Sequence, residues 1–269
     1  MMPNRPLLIR DDNLSRAWVR AVAALARRGV DALTPLVVTV SLPGDGQIPI
    51  VPAVGAFLDA ALGAEGVPMS RTTANLIFPS IWNPARPRAE FFERYQRMLP
   101  RIHRTRANQY GVYFERLIAF GPEGAPCNQL DYIISTYNGR NHRKSALQAT
   151  VLDPARDHTN QRQRGFPCLQ QVSFGPDPEA GLTVTGYYAT QYLIDRGYGN
   201  YLGLCRLGQF VAHEIGQACT RMTCIAAVGR LGDRWSKTWT RDQLGPLCQF
   251  LDDAGLSVPD TGAQGGAVT

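Results

Sequence analysis

The sequence predicts a mixed α/β protein of the α+β or three-layer class. Its 269 residues, 44% of them apolar, suffice for one large domain or two small ones with a sizeable core. Strand-like and helix-like segments are mixed without the regular βαβ alternation of a doubly wound sheet, and the strand-like segments cluster in the second half of the chain. This distribution favours an α+β arrangement.

The first half of the chain is predicted to be mainly helical. Apolar residues recur at helical spacing from Leu14 to Leu25, Asn13 or Ser15 can cap that run, and Gly29 ends it. The segments that follow are predicted as a strand at LTPLVVTVSLP, a helix at VPAVGAFLDAALGAEG, a loop leading into a short strand at SRTTANLIFPSIW, and a helix at AEFFERYQRML.

The second half carries most of the predicted strands. Segment QLDYIISTYN has the apolar spacing of a helix. Three strands are then predicted at SALQATVLD, CLQQVSF and GLTVTGYYATQYL, followed by a helix at YLGLCRLGQFVAHEIG, a strand at TCIAAVGRLG and a last helix at TRDQLGPLCQFLDDAG. The closing DTGAQGGAVT is rich in Gly and Ala and is expected to be a flexible tail.

Composition and charge restrict the class of protein. The net charge of +6 favours an anionic partner, either a phosphorylated small molecule or a nucleic acid, although a solvated basic face would look the same. Six cysteines without CxxC pairs are expected to be reduced, and most of them to be core thiols. No signal sequence is visible and no stretch approaches the roughly 20 apolar residues of a spanning helix, so we expect a soluble, cytoplasmic protein.

Several common functional motifs are absent or incomplete. His213-Glu214 begins the HExxH zinc pattern, but Gln217 stands where the second His would be, so no metal site is predicted. The glycines of YGNYLG and GRLGDR do not have the spacing of a dinucleotide or P-loop motif. No GxSxG nucleophile elbow occurs.

A set of ordered segments resembles the thymidylate synthase superfamily, which includes the pyrimidine nucleotide hydroxymethylases. The resemblance runs from about residue 108 to 216 through NQLDYII, VLDP, FPCLQQVSF and the segment from GLTVTGYYATQYL to RGYGN with the helix after it. It implies one thymidylate synthase-like domain over 1–258 with a large mixed sheet, a flexible tail at 259–269, and a homodimer. A pyrimidine nucleotide would be the partner, which makes nucleic acid the less favoured one.

The resemblance implies that Cys168 is a nucleophile rather than a packed thiol. Carbon C5 of a pyrimidine reacts poorly until a nucleophile adds at C6, and a thiolate suits that step. Nearby cations favour the thiolate, and Arg162 and Arg164 precede Cys168 in the sequence. Asn200 would hold the base edge, and its amide can both donate and accept, which favours a uracil-type ring.

The resemblance also implies roles for residues outside that segment. Arg71 would contact the nucleotide phosphate, and Arg143 would cross to the phosphate of a partner subunit. Tyr113 belongs to GVYFERLIAFG, which resembles the family's Gly-x-Val-Tyr-Gly turn before an aromatic strand, and would bind substrate. Glu93, with Glu90 as second choice, would be the acid–base carboxylate.

The chain also departs from the family pattern. Ala189-Thr190 stands where an Arg-Ser pair would bind phosphate, and Tyr192 stands where an Asp would bind the folate pterin. The expected donor, 5,10-methylenetetrahydrofolate, is therefore in question. Two hypotheses remain: one-carbon transfer to C5 of a pyrimidine nucleotide, by methylation or hydroxymethylation, and a catalytically silent relative that binds a nucleotide or RNA.

Overall fold

One six-stranded mixed sheet organises the chain. The structure is a computed structural model that describes residues 6–28, 32–122, 124–140, 143–160, 167–177, 180–232, 245–246 and 249. The strands are β1 Leu7–Asp11, β2 Leu36–Ser41, β3 Gln148–Thr150, β4 Leu169–Asp177, β5 Gly181–Tyr192 and β6 Cys219–Arg230. Their order is β1-β2-β6-β5-β4-β3, with β1/β2 and β5/β6 parallel and the other pairs antiparallel. The predicted mixed α/β class is confirmed.

Eight α-helices lie among the described residues. They are α1 Leu14–Arg28, α2 Pro52–Ala64, α3 Ser70–Ile77, α4 Arg88–Ile102, α5 Tyr113–Ile118, α6 Gln129–Asn138, α7 Pro154–Asp157 and α8 Tyr198–Glu214. A π-helical turn, Leu193–Gly197, joins β5 to α8. The described helices include none that is both long and apolar enough to cross a membrane.

The two faces of the sheet differ in burial. In one row across the sheet, Val38, Cys224 and Val172 are all buried. The next row, with Val37 and Tyr187, remains partly exposed. Helices α1 and α8 pack on the buried face, and α3 packs on the outer side of α8. The described elements therefore stack as sheet, inner helices and outer helix, and the opposite face of the sheet is uncovered by any described helix. We call it the open face.

Helix α8 lies at the centre of this stack because two glycines let α3 approach it. A Cβ at Gly199 would lie 2.5 Å from the carbonyl oxygen of Ser70, and one at Gly203 would lie 2.8 Å from Cβ of Ile77. On its other side α8 presses Leu204 against Gly186 of β5. The predicted helix is confirmed, and its apolar residues face the sheet as well as α3.

Two segments differ from their predicted form. SRTTANLIF was predicted as a loop leading into a strand, but it forms α3, because its buried residues Ser70, Thr73, Ala74 and Ile77 follow the helical spacing that fits α8. Tertiary packing outweighs the weak helix propensity of the threonines.

GVYFERLIAFG was expected to turn into an aromatic strand and instead forms α5. The carboxylate of Glu115 accepts a hydrogen bond from the backbone N–H of Val112 at 3.3 Å, which helps to start this helix. Strand β1 was not predicted. The predicted last helix and the tail at 259–269 lie outside the continuously described residues.

Candidate active site

Cys168 lies directly before β4, where the neighbouring strand holds its backbone. Its carbonyl accepts a hydrogen bond from the N–H of Ala189 on β5 at 3.0 Å. The side-chain amide of Gln170 donates to the carbonyl of Pro167 at 2.7 Å. The thiol is partly accessible, whereas Cys205, Cys219 and Cys224 are buried. Cys168 is thus held rigidly and can still be reached.

Tyr113 approaches Cys168 from the start of α5. The backbone of Cys168 and of Leu169 hydrogen-bonds to the Tyr113 phenol, and the thiol is one of its electrostatic neighbours. Burial raises the pKa of Tyr113 well above its ordinary value. The phenol therefore stays protonated at neutral pH and has a proton to donate. The resemblance assigned Tyr113 to the same site, and the fold brings it to Cys168.

Arg196 is the cation of this site, and the sequence reasoning missed it. It lies in the π-helical turn before α8, and its Nη1 donates to Oγ1 of Thr73 on α3 at 3.2 Å. Its charge favours the ionised forms of both Cys168 and Tyr113. One sequence feature could have identified Arg196: it lies four residues before Asn200, in the segment on which the resemblance rests.

Burial and charge act on the Cys168 thiol in opposite directions. Burial raises the pKa of Cys168, and the guanidinium of Arg196 lowers it by a smaller amount. The net pKa is above the ordinary thiol value, so the thiol is mostly protonated at neutral pH. A nucleophilic role therefore depends on Arg196.

Tyr188 contributes a second phenol to the same region. It lies opposite Leu169 in the pairing of β4 with β5, and it is fully buried. Cys168 and Tyr113 are among its electrostatic neighbours. No described group hydrogen-bonds its buried hydroxyl. Because an unsatisfied buried hydroxyl costs about 1–3 kcal/mol, this group is a ready partner for a ligand or a water molecule.

Asn200 lies one turn after Arg196, in the first turn of α8. It is only 4% exposed, although it is polar. Its neighbour Gly199 touches Ser70 and Thr73 of α3, so Asn200 is held at the same helix contact as the Arg196–Thr73 hydrogen bond. The predicted role of Asn200 at the base edge stays a prediction.

The predicted acid–base carboxylate is not brought to this group. Glu93 lies on α4 with 68% of its side chain exposed, and it pairs with Arg97 at 3.8 Å. Glu90 is also exposed and pairs with Arg86 at 3.5 Å. Both side chains behave as ordinary surface charges, because α4 turns Phe91, Phe92 and Tyr95 toward the core and these glutamates away from it.

The predicted phosphate ligands are exposed at the surface. Arg71 is exposed on α3, two residues before Thr73, and side chains at that spacing point to nearly opposite sides of a helix. Arg143 is exposed next to a 3₁₀ turn, Lys144–Ala146, and its predicted role concerns a partner subunit. Arg162 and Arg164 lie outside the described residues.

The described residues contain no group of three His, Cys, Asp or Glu side chains that could hold a metal ion. His213, the start of the incomplete zinc pattern, packs edge-on against Trp82 with ring centroids 5.5 Å apart. The group around Cys168 consists of the phenols of Tyr113 and Tyr188 and the guanidinium of Arg196. In comparisons with known proteins, the chain matches no protein-family model and no curated protein.

Proposed function

We propose that the protein transfers a one-carbon unit to C5 of a pyrimidine nucleotide, as a methyl or hydroxymethyl group, through a covalent bond between Cys168 and C6. The observation that carries this proposal is that Tyr113 and the charge of Arg196 both act on Cys168, a partly exposed cysteine directly before a strand. A thiol that only packs the core has no need of a guanidinium held beside it.

The chemistry assigns a task to each of these residues. The Cys168 thiolate adds to C6, which converts C5 and O4 into an enolate that can attack an electrophilic carbon. Arg196 favours the thiolate before the addition and after the elimination. Tyr113, which keeps its proton, and Tyr188, whose hydroxyl lacks a described partner, are donors for the developing charge. The C5 proton passes to a water molecule before elimination releases the thiolate.

The identity of the base depends on Asn200. An amide can accept from N3–H and donate to O4 of a uracil ring, so the nearly buried Asn200 favours a uracil-type base over cytosine.

The predicted donor, 5,10-methylenetetrahydrofolate, does not fit the described residues. A pterin ring presents N–H groups that a carboxylate would accept, but Tyr192 stands at the expected Asp position. The side chains that act on Cys168 are the phenols of Tyr113 and Tyr188 and the guanidinium of Arg196. We therefore assign no step to folate. The donor in this proposal is an electrophilic one-carbon compound.

The open face of the sheet supports a homodimer in this proposal. Leu8 and Tyr187 on that face are 51% and 43% exposed, and Val37 and Ile225 lie between them in the same row. Apolar and aromatic side chains on a broad sheet face are typical of an interface between identical subunits. Two copies facing each other would cover both open faces.

A second candidate function is nucleotide binding without catalysis. The raised pKa of Cys168 and the surface position of Glu93 both favour it. In that case the basic and amide groups of the site would hold a pyrimidine nucleotide, and the thiol would stay protonated.

Exchange of the C5 hydrogen separates the two candidates, because it requires the C6 adduct but no one-carbon donor. Uridine and cytidine nucleotides and nucleosides would be incubated with the protein in D2O and followed by proton NMR. We expect loss of the C5–H signal with a uracil compound and no loss with Cys168→Ala. Cys127→Ala, which removes an exposed thiol elsewhere, should behave like the wild type. Binding of a nucleotide without any exchange would favour the second candidate.

A further inference from the structure

Two arginines lie close together on the outer side of the contact between α3 and α8. Arg206 of α8 donates through Nη1 to Oδ1 of Asn75 on α3 at 3.4 Å. Arg71 precedes Asn75 by four residues, one helical turn, so both lie on the same face of α3. Neither arginine forms an ion pair with a carboxylate in the part of the chain that the structure describes. Positive charge is therefore concentrated here without an internal counter-charge.

The two guanidinium groups destabilise each other. Burial lowers the pKa of Arg206, and the nearby charge of Arg71 lowers that pKa further. Like charges held together in a partly desolvated position raise the free energy of the folded protein, and an anion placed between them would remove that repulsion. Such an arrangement is typical of binding sites, which are often kept at a cost in stability.

A cavity of about 260 Å³ adjoins Arg206. Aromatic and other apolar side chains form one part of its wall and two uncharged polar residues another; with Arg206, the lining residues are Phe78, Pro79, Ser80, Trp82 and Gln209. The indole N–H of Trp82 is buried, and no residue that the structure describes accepts a hydrogen bond from it. A ligand that fits this cavity presents an apolar surface to the rings and an acceptor to the indole N–H.

We propose that Arg71, Arg206 and this cavity bind a small organic oxyanion, a phosphate or carboxylate attached to a flat apolar group. The oxyanion lies between the guanidinium groups, which can bind it bidentately. The flat group enters the cavity beside Phe78 and Trp82. This is a second binding site, which the pyrimidine chemistry at Cys168 does not require.

The two sites are separated by the geometry of the helices. Arg196 and Arg206 are ten residues apart, which corresponds to roughly 15 Å along a helix axis. Arg71 also points to the side of α3 opposite Thr73, the residue that holds Arg196. Arg71 and Arg206 therefore lie apart from the Arg196–Thr73 contact of the proposed catalytic site.

Phenyl phosphate, benzoate and inorganic phosphate are suitable probes in titration calorimetry of the full-length protein. We expect phenyl phosphate or benzoate to bind, inorganic phosphate to bind more weakly, and Arg206→Gln to weaken binding about tenfold or more, the loss expected for a charge-assisted contact. Arg94→Gln removes the same charge from an exposed position on α4 and should leave binding unchanged. Cys168→Ala should also leave it unchanged, which distinguishes this site from the proposed catalytic one.

Arg206→Gln could weaken binding merely by disturbing the fold, so a second variant, Arg71→Gln, is needed. Arg71 is exposed, and its replacement should leave the fold intact. The thermal midpoint of this variant should rise above that of the wild type as the repulsion disappears, while its affinity for the probe falls. The proposal is overturned if neither aromatic anion binds at millimolar concentration, or if Arg206→Gln binds as well as Arg94→Gln. Inorganic phosphate binding as tightly as phenyl phosphate would overturn the role of the cavity.

Discussion

Arg196 and Thr73 are joined by a hydrogen bond of 3.2 Å, from guanidinium Nη1 to hydroxyl Oγ1, that ties the turn before α8 to α3. The two residues are 123 positions apart in the chain, yet this contact holds the arginine where its charge acts on the Cys168 thiol. The electrostatic environment of the Cys168 thiol therefore depends on how α3 and α8 pack.

Replacing Arg196 should make Cys168 less reactive. In Arg196→Gln the described charge that opposes the effect of burial is removed, so the pKa of Cys168 rises further and less thiolate is present at pH 8. We expect alkylation of the Cys168 peptide by iodoacetamide, followed by mass spectrometry, to be roughly two- to tenfold slower, since one pKa unit changes the thiolate fraction about tenfold. The midpoint of the rate against pH should move upward.

Thr73→Val tests whether Thr73 acts only by positioning Arg196. It should move the same midpoint upward by less than Arg196→Gln does, because the guanidinium stays but is no longer held. Arg94→Gln serves as the charge control and should leave the midpoint where it is. If the alkylation rate has the same pH midpoint in the wild type and in Arg196→Gln, Arg196 does not influence the pKa of Cys168.

The contact between α3 and α8 should not tolerate a methyl group at Gly199. In Gly199→Ala the new Cβ would lie 2.5 Å from a backbone oxygen that cannot move aside cheaply. Overpacking of this kind costs about 1–3 kcal/mol, which exceeds the roughly 1 kcal/mol that alanine contributes in a helix. We expect a lower free energy of unfolding in urea.

Gly63→Ala is the matched control for that prediction. Gly63 also lies in a helix, α2, and the nearest atom to a new Cβ is the flexible end of Met69 at 4.0 Å. This substitution should leave stability unchanged or raise it by up to about 1 kcal/mol. If both variants change the free energy of unfolding equally, the close approach of α3 to Gly199 does not contribute to stability.

The sequence predicted the parts of the fold that depend on continuous patterns. The β2, β4, β5 and β6 strands and the α1, α2 and α8 helices follow from their own periodicity. Helix α3 did not, because the threonines that favour a strand are helical only through their contact with α8. In α3 the packing against α8 therefore outweighs the local preference of the threonines for a strand.

The candidate site was predictable only in part, for a related reason. Cys168, Tyr113 and Asn200 were predicted from motifs that each lie in one segment, and the fold brings Tyr113 to Cys168. Arg196 matters because Thr73, far away in the sequence, orients it toward Cys168. Tyr188 matters because its hydroxyl lacks a described partner, which only the three-dimensional packing can show.

The open face should bring two copies of the chain together. The mass of one chain is 29.6 kDa, and we expect twice that mass by sedimentation at micromolar concentration. Tyr187→Glu places a charge at the end of the apolar row, directly beside Ile225, and should yield the monomer. Tyr132→Glu adds the same charge to an exposed tyrosine on α6 and should remain dimeric. A wild-type protein with the mass of one chain would exclude the homodimer.

Alkaline pH should destabilise the protein through its buried thiols. Burial raises the pKa of Cys219 to about 11 and that of Cys224 to about 12, whereas an unfolded thiol ionises near pH 8.5. Below about pH 8.5 both states keep their protons. As pH rises from there toward 11–12, the unfolded state loses protons first, so the free energy of unfolding falls by up to about 1.4 kcal/mol per pH unit for each group.

Urea unfolding measured from pH 8 to 11 under reducing conditions checks this dependence. Cys224→Ala should be less stable at pH 8 because it leaves a small cavity, but its stability should fall less steeply with pH. Cys127→Ala removes an exposed thiol and should keep the wild-type slope. If Cys224→Ala keeps the wild-type slope as well, the alkaline loss arises elsewhere, with the buried phenols of Tyr188 and Tyr201 as the next groups to replace.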